Sequence, residues 1–195
     1  MSKSVLVVIG VGGMGEAITR RLGTGRPVVL ADFDVDRLES LGESLQHNGY
    51  DVHTQQVDVS DRESLSRLAD FALGLGSITG LVHTAGLSPA QAPAARIIEV
   101  DLVGTALSLD VFGGVIEEGG AGVYIASVAG HILGAAVDEE AAKILATAPI
   151  AELSAARILD ITGLPDDLTR ALTYGYCKRG NQLRVQYAAP VWARR

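Results

Sequence analysis

The chain has 195 residues, 48% of them hydrophobic, which suits one domain with a substantial core and excludes a disordered chain. Its 16 basic residues against 23 acidic ones leave a formal net charge of −7, and no run of Lys or Arg forms a basic patch, so general nucleic-acid affinity is excluded. One cysteine, Cys177, excludes an intrachain disulfide and a cysteine-cluster metal site. The four histidines (His47, His53, His83, His131) show no HxxxH or HExxH spacing, so no metal is expected. No apolar stretch reaches the roughly 18 residues of a membrane span, and the run at residues 5–9 is too short for a secretory signal core. The expectation is a soluble, cytoplasmic protein with no membrane partner.

Residues 4–9 (Ser-Val-Leu-Val-Val-Ile) form a short, β-branched apolar run, the pattern of a strand buried on both faces. It leads into Gly10-Val11-Gly12-Gly13-Met14-Gly15, which matches G-x-G-x-x-G at Gly10, Gly12 and Gly15. Residues 16–22 follow as a helix closed by Gly23. Strand, glycine turn and helix in this succession are the setting in which backbone N–H groups cradle a pyrophosphate at a helix N-terminus. Residues 27–31 give a second buried strand ending at Asp32, 22 residues after Gly10. A carboxylate there accepts hydrogen bonds from the hydroxyls of an adenosine ribose and repels a 2′-phosphate, which favours NAD over NADP. The structural role open to Asp32 is a helix N-cap, but Asp34 can fill that role instead.

The alternation continues through a helix at Val35–His47 with Leu38, Leu41 and Leu45 on one stripe, and a strand at 51–57 followed by Asp58-Val59-Ser60-Asp61. A helix at Arg62–Leu75, capped by Ser60 or Asp61, precedes a strand at 78–82 that ends in His83-Thr84-Ala85-Gly86. Repeated βα units predict a parallel sheet covered by helices on both faces. Residues 96–112 are apolar almost all round, as in a helix buried beneath other elements or against a second subunit. Residues 122–126 form a fifth strand that delivers Ser127 at its carboxyl end, where ligands bind in open α/β sheets. A serine there can hydrogen-bond a substrate oxygen, or merely cap or turn the chain. In the last helix, residues 174–194, Tyr174 and Lys178 stand four apart and rise from one face. An ammonium beside a phenol favours phenolate, so a group with a free pKa of about 10 exchanges protons nearer neutrality. The alternative is a surface Tyr-Lys pair one turn apart.

Taken in order, the glycine turn, Asp32, Asp58-Val59, Thr84-Ala85-Gly86, Ser127 and Tyr174-x-x-x-Lys178 resemble the short-chain dehydrogenase/reductase family over essentially the whole chain. The resemblance implies a Rossmann fold with strand order 3-2-1-4-5, a nicotinamide cofactor, and an alcohol or ketone as small-molecule substrate. It implies that Tyr174 is the general acid/base and that Lys178 binds the nicotinamide ribose and lowers the tyrosine pKa. Ser127 would orient substrate, Asp58 and Val59 would form the adenine pocket, and Ala85-Gly86 would end the family's Asn-Asn-Ala-Gly segment. With Gly10, Gly12, Gly13, Met14, Gly15 and Asp32, these residues make the expected cofactor site.

Four departures from the family stand out. The glycine turn lacks the usual preceding threonine and is one residue shorter. His83-Thr84 replaces two asparagines, and Asp101 stands where the family's helix offers an asparagine to a proton-relay water; its charge can perturb Lys178. Ser127 and Tyr174 are 47 positions apart, against a family interval of about a third of that, an excess set against short-loop priors. The excess, residues 131–172, resembles the helical insertion of the bacterial branch containing 3α-hydroxysteroid dehydrogenase/carbonyl reductase. Helices are expected at 141–146 and 150–161, serving either as a lid over a bulky apolar substrate or as an oligomer-modifying surface. Finally, the family continues past the last helix with a further strand and a substrate lobe, so residues 1–195 are expected to be a single, truncated dinucleotide-binding domain. The apolar helix predicts a homodimer or homotetramer. The rival readings are a non-catalytic nucleotide-binding or interaction protein on the same fold, and a methyltransferase, in which Tyr174 and Lys178 would have no role.

Overall fold

The computed structural model describes residues 3–194; the Arg195 expected beside Arg194 at the end of the last helix lies outside them. The described chain divides into two compact units, one of residues 3–85 with Asp110–Ile125, the other of Gly86–Leu109 with Ala126–Arg194.

The first unit is built on a parallel sheet of β1 (Ser4–Ile9), β2 (Val28–Asp32), β3 (Val52–Gln56), β4 (Ser77–His83) and β5 (Ala121–Tyr124). Their order, β3-β2-β1-β4-β5, is the one expected from the sequence, and every pairing is parallel. The apolar run of β1 is buried from Val5 through Ile9, as a strand covered on both faces must be. Helices α1 (Gly13–Leu22), α2 (Val35–His47) and α3 (Arg62–Leu75) complete the unit. Asp34 caps α2 by accepting from Arg37 N, and Asp61 caps α3 by accepting from Glu63 N and Ser64 N. The Leu38/Leu41/Leu45 stripe packs onto Leu6, Val8, Leu30 and Val52. Strand β5 is at the sheet edge, and Val123 on it is half exposed.

The second unit is helical. It contains α4 (Ala94–Ile97), a π-helical turn (Ile98–Val103) and the first turns of α5 (Gly104–Val115). After β5 come α6 (Ala129–Ile132), a 3₁₀ turn (Leu133–Ala136), α7 (Glu139–Thr147), α8 (Ile150–Leu153), a 3₁₀ turn (Arg157–Leu159) and α9 (Asp166–Trp192). Three details differ from the sequence expectation. The single helix at 96–112 is interrupted by the wide π turn, whose Asp101 is fully buried and hydrogen-bonded; such turns carry no Gly or Pro signature. Residues 150–161 are not one helix, because α8 stops at Leu153 and Ala156 is extended (φ −60°, ψ 128°) ahead of the 3₁₀ turn, so that Leu153, Ala156 and Leu159 are all buried. Helix α9 begins at Asp166 rather than at Tyr174, since Pro165 stands just before its first turn and Asp166 and Asp167 suit the positive helix end.

Segment 137–161 is docked on its own unit. Leu145, Leu153, Ala156 and Leu159 share one core with Ile97, Leu102, Ala106, Tyr176 and Cys177. Gly180 permits this approach, for a Cβ there would lie 2.5 Å from Leu102 Cδ1. Replacing the fully buried Leu145 by Ala is expected to cost about 2 to 5 kcal/mol of stability. Ile144→Ala, at a position 37% exposed, should cost less, about 1 kcal/mol. Urea unfolding of the two variants checks both; equal small losses would mean that the segment is not part of the folded core.

Candidate active site

In the first unit the glycine turn is fixed by steric need. Gly10 has φ +93°, and a Cβ there would fall 2.5 Å from Ala85 N and 2.7 Å from Thr84 Oγ1. Gly15 is closer still, with its virtual Cβ 1.9 Å from Gly10 O. The Thr84 hydroxyl donates to Gly10 O at 2.7 Å, and Thr84 N and Ala85 N both donate to Ile9 O. Thr84, in place of a family asparagine, thus pins the turn. Gly12 and Gly13, by contrast, have nothing within 4 Å of where a Cβ would stand. An open cleft of about 590 Å³ adjoins them, lined also by Val11, Glu16, Arg37, Ser40 and Ser44. That opening fits a phosphate group approaching bare backbone N–H groups at the start of α1.

Asp32 is tied to this turn. Its Oδ2 accepts from Val11 N at 2.7 Å and its Oδ1 from Asp34 N at 3.0 Å. Each oxygen keeps a further lone pair, so the carboxylate can still accept from a ligand hydroxyl. Asp58 Oδ1 accepts from Ser60 N and Ser60 Oγ, which shapes the turn ahead of α3, and Val59 is buried. The exposed Met14 lies in the first turn of α1.

In the second unit, α9 presents Tyr174 and Lys178 as the spacing predicts, with Lys178 Nζ 5.4 Å from the Tyr174 ring centroid. Lys178 is 5% exposed, and its ammonium meets Asp101 Oδ2 at 2.9 Å. Asp101 Oδ1 accepts from Leu87 N at 2.7 Å. Gly86 lies against this pair: a Cβ would stand 3.0 Å from Lys178 Nζ and 3.3 Å from Asp101 Oδ2. Burial pushes the Asp101 carboxyl above the usual carboxylate range, while the charge and hydrogen bond of Lys178, and then the bond from Leu87, pull the other way. Burial, reinforced by Asp101, also pushes the Cys177 thiol far up, so Cys177 stays protonated and inert.

Ser127 does not end a strand, because β5 stops at Tyr124. Its Oγ accepts from Ala129 N at 3.2 Å, a turn-forming role, and its carbonyl accepts from Gly130 N at 3.0 Å and from Gln182 Nε2 at 3.2 Å. Gly130 lies directly on α9, with a virtual Cβ 2.9 Å from Arg179 N and Lys178 C. Gln182 is thus a tether between Ser127 and α9 that the sequence reading passed over. Its signal was available, since Tyr174, Lys178 and Gln182 recur every four residues on one helical face. Among the described residues, no helix is long and apolar enough to cross a membrane, and no group of three or more His, Cys, Asp or Glu is placed to hold a metal.

Residues 3–139 match the family model described as short chain dehydrogenase. The chain is 38% identical over 200 residues to the short-chain dehydrogenase/reductase bsc3 of Alternaria brassicicola, covering all of this chain and 70% of that protein. It is 32% identical over 117 residues to a cis-4-hydroxycyclohexanecarboxylate dehydrogenase of Sinomonas cyclohexanicum, covering 54% of this chain and 47% of that one. A solved short-chain dehydrogenase/reductase from Burkholderia phymatum in complex with NAD has the same fold, at a TM-score of 0.59 and 22% identity over 89% of this chain and 56% of that chain. The chain therefore spans about half the length of the latter two relatives.

The raised Asp101 carboxyl makes stability depend on pH. Its folded value lies above its unfolded one, so its contribution is complete below the ordinary value of 3.8 and is lost as pH rises through the folded value. The stability of the wild type relative to Asp101→Asn is expected to fall as pH climbs from about 4 towards neutrality. Urea midpoints taken across that range test this, and a difference that stays flat or grows with pH contradicts it.

Proposed function

Because the chain belongs to the short-chain dehydrogenase/reductase family, we propose that it transfers a hydride between a nicotinamide cofactor and the carbinol or carbonyl carbon of an alcohol or ketone. The observation that carries this reading is the Lys178 ammonium, almost wholly buried and 5.4 Å from the Tyr174 ring centroid. Buried against Asp101 and beside the phenol, that cation would stabilise a tyrosinate formed when the proton is given up.

The open backbone at Gly12 and Gly13, with Met14 and Gly15 starting α1, would hold the pyrophosphate. The free lone pairs of Asp32 would accept the adenosine ribose hydroxyls, and its charge disfavours a 2′-phosphate, so NAD is preferred to NADP. Asp58 and Val59 would border the adenine, and Ala85 and Gly86 the rest of the dinucleotide. The nicotinamide ring supplies the hydride in reduction and accepts it in oxidation. In reduction, Tyr174 would pass its hydroxyl proton to the carbonyl oxygen as negative charge builds there, and the Ser127 hydroxyl would donate a second hydrogen bond. Lys178 would stabilise the tyrosinate left behind and bind the nicotinamide ribose. In oxidation the same proton returns to Tyr174.

The substrate class is a secondary alcohol or its ketone. An alicyclic hydroxy acid is a natural first probe, given the Sinomonas relative. We read residues 131–172 as an insertion in one dinucleotide-binding domain, and the chain as a cytoplasmic homo-oligomer; light scattering of the purified protein tests the last point.

Fluorescence titration with NADH and NADPH, followed by turnover of a panel of alicyclic hydroxy acids, diketones and steroid ketones, tests the whole reading. Tyr174→Phe should lower turnover by roughly 10²- to 10⁴-fold and leave NADH affinity nearly unchanged; comparable turnover would remove Tyr174 from the chemistry. Asp32→Ala should erode the preference for NADH over NADPH by about tenfold or more, the loss of roughly one charge-assisted hydrogen bond. An unchanged ratio would mean that Asp32 serves only the backbone of the turn.

A further inference from the structure

The Ser127 carbonyl ends a short relay that starts on a guanidinium. Arg179 Nη1 donates to Gln182 Oε1 at 3.3 Å, and Gln182 Nε2 donates to Ser127 O at 3.2 Å. We propose that Arg179 and Gln182 are positioning residues for Ser127. The guanidinium turns the Gln182 amide so that its NH₂ end faces the serine, and the amide holds the serine's peptide so that the hydroxyl is presented as a donor. This deepens the functional reading above and rests on it for the role of Ser127 in orienting substrate.

The direction of the relay follows from donor and acceptor chemistry. A guanidinium carries donors and no acceptor, so it bonds only the oxygen of an amide. With Oε1 engaged by Arg179, the NH₂ group is the end left for the Ser127 carbonyl, which can only accept. Turned the other way, the amide would set donor against donor at Arg179 and oxygen against oxygen at Ser127. Both bonds are at the long end of the hydrogen-bond range, so the two together select the orientation that neither would fix alone. Space is restricted as well. A Cβ on Gly134 would stand 2.8 Å from Arg179 Cβ and 3.0 Å from its Cγ, and one on Gly130 would stand 2.9 Å from Gln182 Nε2. The backbone of α6 and its 3₁₀ turn therefore lies directly on the two side chains of the relay.

At the far end, Ser127 O accepts from Gly130 N at 3.0 Å as well as from Gln182. Ser127 Oγ accepts from Ala129 N at 3.2 Å. A hydroxyl has one proton to donate, and with Oγ serving the backbone as acceptor, that proton is left for a partner outside the turn. In reduction the partner would be a carbonyl oxygen gaining negative charge, which a preset donor stabilises without reorganising. The Lys178 ammonium is engaged by Asp101, so the relay reaches the serine without passing through that pair.

Amide hydrogen exchange of residues 126–133, read by mass spectrometry, tests the positioning without turnover. Gln182→Met keeps the length of the side chain and removes both bonds. Gln182→Glu keeps an oxygen for Arg179 but offers no donor to Ser127 at neutral pH. Both should speed exchange in that segment about fivefold, as the loss of one hydrogen bond does, while β1 exchanges as in the wild type. Unchanged exchange in Gln182→Met overturns the inference. So does wild-type exchange in Gln182→Glu, because an ion pair with Arg179 would then suffice.

Kinetics on a ketone that the panel above identifies supply the second arm. Gln182→Met should lower kcat about ten- to a hundredfold, with substrate KM and NADH affinity within about twofold. In a Ser127→Ala background the same change should cost less than about twofold, since the hydroxyl through which Gln182 acts is gone. Arg179→Met should lower kcat in the same direction, and by less than about twofold in the Gln182→Met background. Equal losses with and without the serine hydroxyl, or wild-type kcat in Gln182→Met or Arg179→Met, overturn the inference. Failure of the functional reading is a separate result: Ser127→Ala as active as the wild type, or no ketone turned over, while the exchange differences uphold the relay.

Discussion

A lysine ammonium and an aspartate carboxylate, both taken out of water and held 2.9 Å apart, form the interaction on which the helical unit is organised. Desolvating two ions is costly, and their attraction offsets the cost only where geometry and extra hydrogen bonds are good. Here the surroundings supply those conditions. The π turn at Ile98–Val103 carries Asp101, the Leu87 N–H satisfies its second oxygen, and Gly86 lets the chain pass close without a side chain. Removing either charge alone would strand the other, so the two positions are constrained jointly. That joint constraint makes the pair informative: a merely structural contact at this depth would be cheaper as two apolar side chains.

Much of this structure could be read from the residues alone, for definite reasons. Strands buried on both faces have to be nearly continuous apolar runs, so β1, β2 and β4 stood out, and the alternation with helices dictated their parallel order. Asp34 and Asp61 announced the starts of α2 and α3 because helix N-termini need oxygen acceptors. The Tyr174/Lys178 face followed from helical periodicity. Hidden from that reasoning was whatever depends on contacts between distant positions. Nothing local to Asp101 says that it meets a lysine 77 residues later. Nothing local to residues 98–103 marks a π turn, and the three-residue burial rhythm of Leu153, Ala156 and Leu159 resembles a helix until the core that receives it is known.

The apolar helix at 96–112 shows how one pattern supports two readings. A helix that is hydrophobic all round requires cover, and a second subunit was one candidate. Part of that cover comes from the chain itself. Leu102 and Ala106 are buried with Leu145, Leu153 and Leu159 from the long segment between Ser127 and Tyr174. The same packing bears on the reading of that segment as a lid, the alternative to an oligomer-modifying surface. Leu145 and Leu153 are fully buried, and Gly180 admits Leu102 to within side-chain contact of the helix, so segment 137–161 behaves as core in this structure. A lid would be drawn from the weakly packed end of the stability range instead.

The placement of Ser127 completes the division of labour. Its expected position at a strand terminus would have made its geometry a property of the sheet. Strand β5 ends three residues earlier, and Ser127 is held by Ala129 N, Gly130 N and Gln182, all from helices of the second unit. The residues proposed for proton transfer and substrate orientation (Ser127, Tyr174, Lys178 and their partner Asp101) therefore belong to one packing unit. The glycine turn, Asp32, Asp58 and Val59 belong to the other. Gln182 and Lys178 lie one turn apart on α9, and Gly130 packs on the backbone between them. The register of α9 thus fixes the serine, the tyrosine and the lysine relative to one another. A rotation of that helix by a fraction of a turn would disrupt the ion pair and the serine tether together, whereas a change confined to the glycine turn would leave both intact.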